Sequence, residues 1–76
     1  MIDQFPERFC RNVRAIQLHH GLSISQMAEI LELSDNLLIL LESGIVTDEM
    51  DIRILEHIFF HFGIYPNQLL TETLFE

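Results

Sequence analysis

The sequence has no lysine, a single cysteine and no long hydrophobic run, and each absence excludes a class of protein. Apart from histidine, its basic residues are Arg8, Arg11, Arg14 and Arg53. Against them stand 12 Asp and Glu residues, and the resulting net charge of −8 opposes non-specific binding to nucleic acid. Cys10 alone cannot form an intrachain disulfide, and the longest apolar run, Leu37 to Leu41, is far shorter than the roughly 20 residues that cross a bilayer. Since the N-terminus also lacks the features of a signal peptide, we expect a soluble, cytoplasmic protein.

The residues that are present suffice for one packed core. Hydrophobic residues make up 49% of the 76 positions and charged residues 21%, which disfavours disorder. We therefore expect one domain over residues 1–76. Neither an internal repeat nor an alternating strand pattern is present, so the predicted fold class is all-α.

Capping residues and helical periodicity predict five helices. The predicted ranges are 6–20, 24–31, 35–43, 51–62 and 67–73. Ser23 and Gln26 form a capping-box pattern at the start of the second helix, and Ser34 caps the third. Gly21 and Gly44 suit the left-handed position that commonly ends a helix. The apolar residues expected to face the core are Phe9, Val13, Ile16, Met27, Ala28, Leu31, Ile52, Leu55, Ile58, Phe59, Phe62, Leu69 and Leu70.

The second and third predicted helices, separated by a short turn, form a helix-turn-helix pattern. The residues that carry this pattern are Gly21-Leu22-Ser23, Met27-Ala28-Glu29, Leu31, Leu33-Ser34, Leu38, Leu41-Glu42-Ser43-Gly44, Ile52, Leu55, Ile58, Phe62-Gly63-Ile64 and Leu69-Leu70. From about Phe9 to Leu70 the chain resembles the lambda-repressor-like (XRE) family. This resemblance implies a five-helix domain whose second and third helices dock on an operator, usually as a dimer.

The residues at the family's DNA-reading positions depart from its pattern. Ile24 stands where the second helix commonly begins with a glutamine. The base-facing positions of the third helix fall on Asp35, Asn36, Leu37, Ile39 and Leu40. Among these, Asn36 alone can form a bidentate contact with a base. Residues 22–46 carry four acidic side chains and neither Lys nor Arg, so we expect this face to repel phosphates.

Two further departures concern the structure of the domain. Glu32 occupies a turn position that is usually glycine, and holding it in the left-handed region costs on the order of 1 kcal/mol. Gln17 replaces an arginine that often pairs with the glutamate of the Glu-x-Gly motif. We expect Gln17 to replace this ion pair with a hydrogen bond to Glu42.

The apolar third helix predicts a protein-binding surface. Leu37 to Leu41 occupy every direction around the helix, although a helix on a small domain buries only one stripe. The predicted interface consists of Ile24, Leu37, Ile39 and Leu40, and its partner is a second copy of the chain or another protein such as a repressor. The alternative is scattered surface apolarity. A second apolar surface is offered by the Phe-rich fourth helix and by the tail residues Leu69, Leu70, Leu74 and Phe75.

The competing hypothesis is a sequence-specific DNA-binding repressor. Its predicted DNA contacts are Asn36, Arg14, Arg11 and Ser43. Arg8, Arg11 and Arg14 lie at i, i+3 and i+6 on the first helix, where they either contact phosphate or an acidic partner, or form a solvated face that pairs with nearby carboxylates.

We expect no enzymatic activity, no metal and no cofactor. His57 and His61 have i, i+4 spacing, but no third ligand accompanies them in the sequence. Cys10 is expected to be a buried, inert thiol, because no Cys/His/Asp arrangement is readable around it.

Overall fold

The computed structural model describes residues 6–75 and contains five helices within them, which confirms the all-α prediction. The helices are α1 (Glu7–His19), α2 (Ile24–Leu31), α3 (Asp35–Glu42), α4 (Arg53–Phe62) and α5 (Pro66–Thr71). No strand occurs in this part of the chain, and none of its helices is long and apolar enough to cross a membrane. Residues 1–5 and 76 of the predicted domain lie outside the described residues.

Local capping explains why α2 and α3 begin where the sequence predicts. The Gln26 N–H donates to Ser23 Oγ at 3.1 Å, and the Ser23 N–H donates to Gln26 Oε1 at 2.8 Å, which completes the capping box. The Leu37 N–H donates to Ser34 Oγ at 3.2 Å at the start of α3. Each cap satisfies backbone donors that the first turn of a helix leaves unpaired.

Helices α2 and α4 end at Leu31 and Phe62 as predicted, and the remaining helix ends differ from the predicted ones by one or two residues. The start of α4 moves from residue 51 to Arg53 because Asp51 Oδ1 accepts the Arg53 N–H at 2.9 Å, so residues 51 and 52 form the turn before the helix. The Pro66 ring occupies the first turn of α5, where its missing N–H costs nothing. This helix ends at Thr71 because Glu72 is extended (φ −115°, ψ 153°). The predicted α1 loses one residue at each end, and α3 loses its last.

One core lies between the helices. Its buried hydrophobic residues are Phe9, Cys10, Val13, Ile16, Met27, Ala28, Leu31, Leu38, Leu41, Met50, Ile54, Ile58 and Leu69. The radius of gyration is 11.0 Å, close to the roughly 11 Å typical of a compact chain of this length. All five helices therefore contribute to a single compact globule.

The inward stripe of α4 is the one core prediction that was wrong. Ile54 and Ile58, one turn apart, are buried, whereas Ile52 is 58% exposed and Phe59 is 36% exposed. Since α4 begins only at Arg53, Ile52 lies before the helix and does not continue its inward face. Phe59 follows Ile58 by about 100° around the helix axis and therefore points away from the core.

A buried asparagine holds the chain after α5 against α1. Asn12 Nδ2 donates to the carbonyl oxygens of Leu69 at 2.8 Å and Glu72 at 2.7 Å, and the Leu74 N–H donates to Asn12 Oδ1 at 3.0 Å. The Phe75 ring stacks on His19 with 4.0 Å between ring centroids. These contacts hold residues 72–75 as a tail against α1.

Candidate interaction surfaces

A three-residue turn, Glu32 to Ser34, connects α2 to α3. Glu32 lies in the left-handed region (φ 59°, ψ 43°), which confirms that it occupies a position suited to glycine. His57 Nδ1 lies 3.2 Å from the Leu31 carbonyl oxygen, so α4 contacts the end of α2. At the other end of α2, Ser25 Oγ donates to Asp35 Oδ2 at 2.7 Å, which brings the first turns of both helices together.

The predicted interface, which we call the α2–α3 surface (Ile24, Leu37, Ile39 and Leu40), is only partly open to solvent. Ile39 is 48% exposed. The other three side chains are half-buried and pack against the core. The apolar area that they present is therefore smaller than the sequence suggests, and Ile39 is its most exposed member.

Sequence reasoning missed a further exposed residue beyond the end of α3. Ile45 is 51% exposed, and its N–H donates to the Leu40 carbonyl oxygen at 2.9 Å. The sequence feature that indicates this change of direction is Gly44. In the structure its left-handed conformation (φ 90°) turns the chain immediately before Ile45. Ile39 and Ile45 are thus the exposed large apolar side chains at this end of the surface.

The charge around the α2–α3 surface is negative. Glu29, Glu32 and Asp35 are exposed, and neither helix carries a Lys or Arg. Asn36, the predicted base reader, is exposed in the first turn of α3. Ser43 Oγ donates to the Ile39 carbonyl oxygen at 2.9 Å, so the hydroxyl hydrogen is already used within the helix end.

The arginines proposed as phosphate anchors lie on α1 and interact within the chain. Arg11 Nη2 lies 2.9 Å from Glu7 Oε2, and Arg14 Nη1 lies 3.9 Å from Glu42 Oε1. Arg8 Nη1 donates to Thr73 Oγ1 at 2.6 Å. Arg14 thereby approaches the last residue of α3, whereas Asn36 lies six residues earlier, about 9 Å away along the helix. Arg11 and Ser43 line one depression with Glu42, and Asn36 is not part of this lining.

The expected hydrogen bond between Gln17 and Glu42 does not form. Gln17 Nε2 instead donates to the Leu22 carbonyl oxygen at 3.2 Å, and Arg14, one turn earlier on α1, approaches Glu42. The Glu42 side chain is only 4% exposed, and its Oε2 has no hydrogen-bond partner among the described residues. Burial raises the pKa of this carboxyl, and the positive charge of Arg14 opposes the rise.

The candidate thiol and histidines are separate from one another. Cys10 is buried, and this burial, with the nearby charge of Glu7, raises the pKa of its thiol, as expected for an unreactive cysteine. His57 is half-buried at the end of α2, and His61 is exposed. Among residues 6–75, no group of three or more His, Cys, Asp or Glu side chains is placed to hold a metal ion.

The predicted second apolar surface divides into two parts. Leu69 is a core residue and Phe75 lies on His19, so the tail belongs to the packing against α1. Phe59 and Phe60 at the end of α4 remain exposed, together with Tyr65 just before α5. Comparison of the chain with protein-family models, curated proteins and solved structures gave no match.

Proposed function

We propose that the chain is a small regulatory protein of the lambda-repressor-like helix-turn-helix type whose α2–α3 surface contacts another protein instead of binding DNA strongly. Support for the type comes from the three-residue turn between α2 and α3, the left-handed conformation of Glu32 and the sequence resemblance to the XRE family. The partner is a second copy of the chain or a repressor. The proposal includes no catalytic, metal or cofactor role.

The observation that carries this proposal is that Ile39 is exposed on α3 while the charged residues of α2, α3 and the turn between them are all acidic. DNA binding depends on Lys and Arg side chains that neutralise phosphates, and α2 and α3 have none. Asn36 is the only amide side chain in α3, and Gln26 of α2 uses its amide oxygen in the capping box with Ser23. An apolar centre with charged surroundings is instead typical of a protein interface.

Sedimentation velocity of the chain, alone and with mixed-sequence duplex DNA, tests the proposal at about 50 mM and about 200 mM NaCl. We expect self-association that strengthens with salt, because screening weakens the repulsion between acidic residues of the two copies. We expect no co-sedimentation with DNA at either concentration. A monomer that joins DNA at the lower concentration would contradict the proposal.

An isoleucine pair provides matched variants for this experiment. Ile39→Glu places a charge at the most exposed residue of the α2–α3 surface, and we expect it to reduce self-association at least about tenfold, which corresponds to about 1.4 kcal/mol. Ile52→Glu makes the same chemical change at a 58% exposed position before α4, and we expect it to retain wild-type association. An equal loss of self-association in both variants would show that the added charge causes the loss wherever it is placed, and that Ile39 is not part of the interface.

The alternative function, a DNA-binding repressor, is favoured by one observation. Asn36 is exposed in the first turn of α3, the region that reads bases in helix-turn-helix proteins. This alternative predicts duplex binding that weakens steeply with salt and that is lost in Asn36→Ala and Arg14→Ala. The direction of the salt effect therefore separates the two functions.

A further inference from the structure

Three aromatic side chains project from the junction of α4 and α5. Phe59, Phe60 and Tyr65 form what we call the α4–α5 aromatic cluster. The ring centroids of Phe59 and Phe60 are 5.7 Å apart, and those of Phe59 and Tyr65 are 5.1 Å apart. Phe60 is 77% exposed, the most exposed of the large hydrophobic residues described. Contiguous exposed aromatic area of this kind marks a binding surface more often than chance apolarity.

The path of the chain explains why these rings face outward together. The inward side of α4 is occupied by Ile54 and Ile58, so residues 59 and 60 fall on other sides of the helix. Gly63 ends α4 in the left-handed conformation (φ 70°), which turns the chain back and places Tyr65 against Phe59. The positions of the three rings are therefore set by the backbone of α4, by the turn at Gly63 and by the start of α5.

A single carboxylate borders the cluster. With Glu56 and Pro66, the three rings line a shallow depression of about 330 Å³. Glu56 is the only charged residue in this lining, and it precedes Phe60 by one turn on the same face of α4. Glu56 forms no salt bridge among the described residues, because the neighbouring Arg53 lies 3.0 Å from Asp51.

The chemistry of the depression specifies its occupant. A guanidinium group stacks on aromatic faces and also forms paired hydrogen bonds with a carboxylate. A symmetric contact with a second copy of the chain would instead bring two Glu56 side chains together, and their like charges would repel. The described arginines are already engaged with Thr73, Glu7, Glu42 and Asp51. Charge complementarity therefore points to a foreign arginine.

We propose that the α4–α5 aromatic cluster binds an arginine-bearing apolar segment of a partner protein. The guanidinium lies on the ring of Phe60 and pairs with Glu56, one turn earlier on α4, while flanking apolar side chains cover the rest of the depression. This site is separate from the α2–α3 surface and does not depend on the function proposed for it.

Titration of the ¹⁵N-labelled full chain with the peptide acetyl-Leu-Arg-Leu-amide tests this site by NMR. We expect chemical-shift changes confined to the backbone amides of residues 56–65. The control peptide has citrulline in place of arginine, which keeps the shape of the side chain but removes its charge. We expect it to bind at least about tenfold more weakly, because hydrogen bonds between charged groups are the stronger ones.

Variants of exposed residues identify the groups that bind. Glu56→Gln and Phe60→Ala are each expected to weaken binding of the arginine peptide about tenfold. Glu72→Gln removes the same charge at an exposed position after α5 and is expected to have no effect. Unchanged amide spectra away from the substituted residue show that each variant remains folded.

Three results would overturn the proposal. Equal binding of the arginine and citrulline peptides would show that the depression recognises apolar groups alone. Shift changes centred on α2 and α3 would place cation binding at the acidic residues there. Concentration-dependent shifts of residues 56–65 without any peptide would show that a second copy covers the cluster.

Discussion

Glu32 holds a backbone conformation that costs free energy for any residue with a side chain. Its φ of 59° lies in the left-handed region, where a non-glycine residue is destabilised by about 1–2 kcal/mol. Glycine relieves this strain, but its greater freedom in the unfolded chain offsets about 0.5–1 kcal/mol of the gain. We therefore expect Glu32→Gly to raise the free energy of unfolding by about 0.5–1 kcal/mol, as measured by urea denaturation.

Alanine at the same position separates backbone strain from side-chain contacts. Glu32→Ala keeps the strained conformation and removes the carboxylate that lies 3.8 Å from His57 Nε2. Since the Glu32 side chain is exposed, we expect this variant to differ from wild type by less than about 0.5 kcal/mol. A glycine variant less stable than the alanine variant would show that the turn is not strained.

The buried carboxyl of Glu42 makes stability depend on pH. Its pKa is raised in the folded chain by burial, so the folded state holds the proton more tightly than the unfolded state. The associated stability is present below the ordinary pKa of 4.5 and is lost as the pH rises through the folded value. Asp51, whose pKa is lowered by hydrogen bonds from Arg53, contributes the opposite trend.

We therefore expect Glu42→Gln to gain stability relative to wild type as the pH rises. Urea denaturation of both proteins at about pH 4 and about pH 8 measures this change, and contributions shared by the two proteins cancel in the difference. Arg14→Gln removes the opposing cation and should make the loss of stability at high pH steeper. An equal effect of Glu42→Gln at both pH values would show that the ion pair with Arg14 fully offsets the cost of burial, so that the pKa of Glu42 is not raised.

The tail after α5 is fixed by one side chain of α1. Asn12→Ala removes three hydrogen bonds to residues 69–74 and leaves partly buried backbone groups unpaired, so we expect a loss of about 2–3 kcal/mol in the free energy of unfolding. Amide hydrogen exchange at Leu74 should accelerate at the same time. The control is Asn67→Ala, an identical change at an exposed position of α5. Wild-type exchange at Leu74 in Asn12→Ala would contradict this role.

The starts of α2 and α3 and the core of α1 were predictable because their causes are local. Ser23 and Ser34 cap helices through hydrogen bonds to residues three positions ahead, and Phe9, Val13 and Ile16 share one face by spacing alone. The partner of Glu42 was not predictable in this way. Whether Arg14 or Gln17 reaches it depends on how α1 is rotated and shifted against α3, and the sequence of one helix does not define that.

Surface exposure was the least predictable property, because it depends on the neighbouring elements of the whole molecule. Ile24, Leu37 and Leu40 occupy outward positions in the family pattern, yet all three partly pack against the core. Phe59 and Ile52 were expected to be inward and are exposed. A helical pattern gives the direction of a side chain but does not state what covers it.

At the scale of the whole molecule, excess negative charge lowers the stability of the fold. The chain carries a net charge of −8, and the residues that the structure describes extend over 29 × 26 × 21 Å. At about 0.01 M salt the Debye length is about 30 Å, so charges on opposite sides repel, whereas at about 0.1 M it falls to about 10 Å. A like-charged pair roughly 20 Å apart contributes about 0.2 kcal/mol in water, and many such pairs act together.

We therefore expect the free energy of unfolding to rise by an amount on the order of 1 kcal/mol between these two salt concentrations. Urea denaturation in NaCl measures the change. The double variant Asp48→Asn/Glu72→Gln removes two charges at exposed positions, and its gain should be smaller because less repulsion remains to be screened. A decrease in stability with salt would show instead that surface ion pairs such as Arg11–Glu7 and Arg53–Asp51 contribute more than the repulsion does.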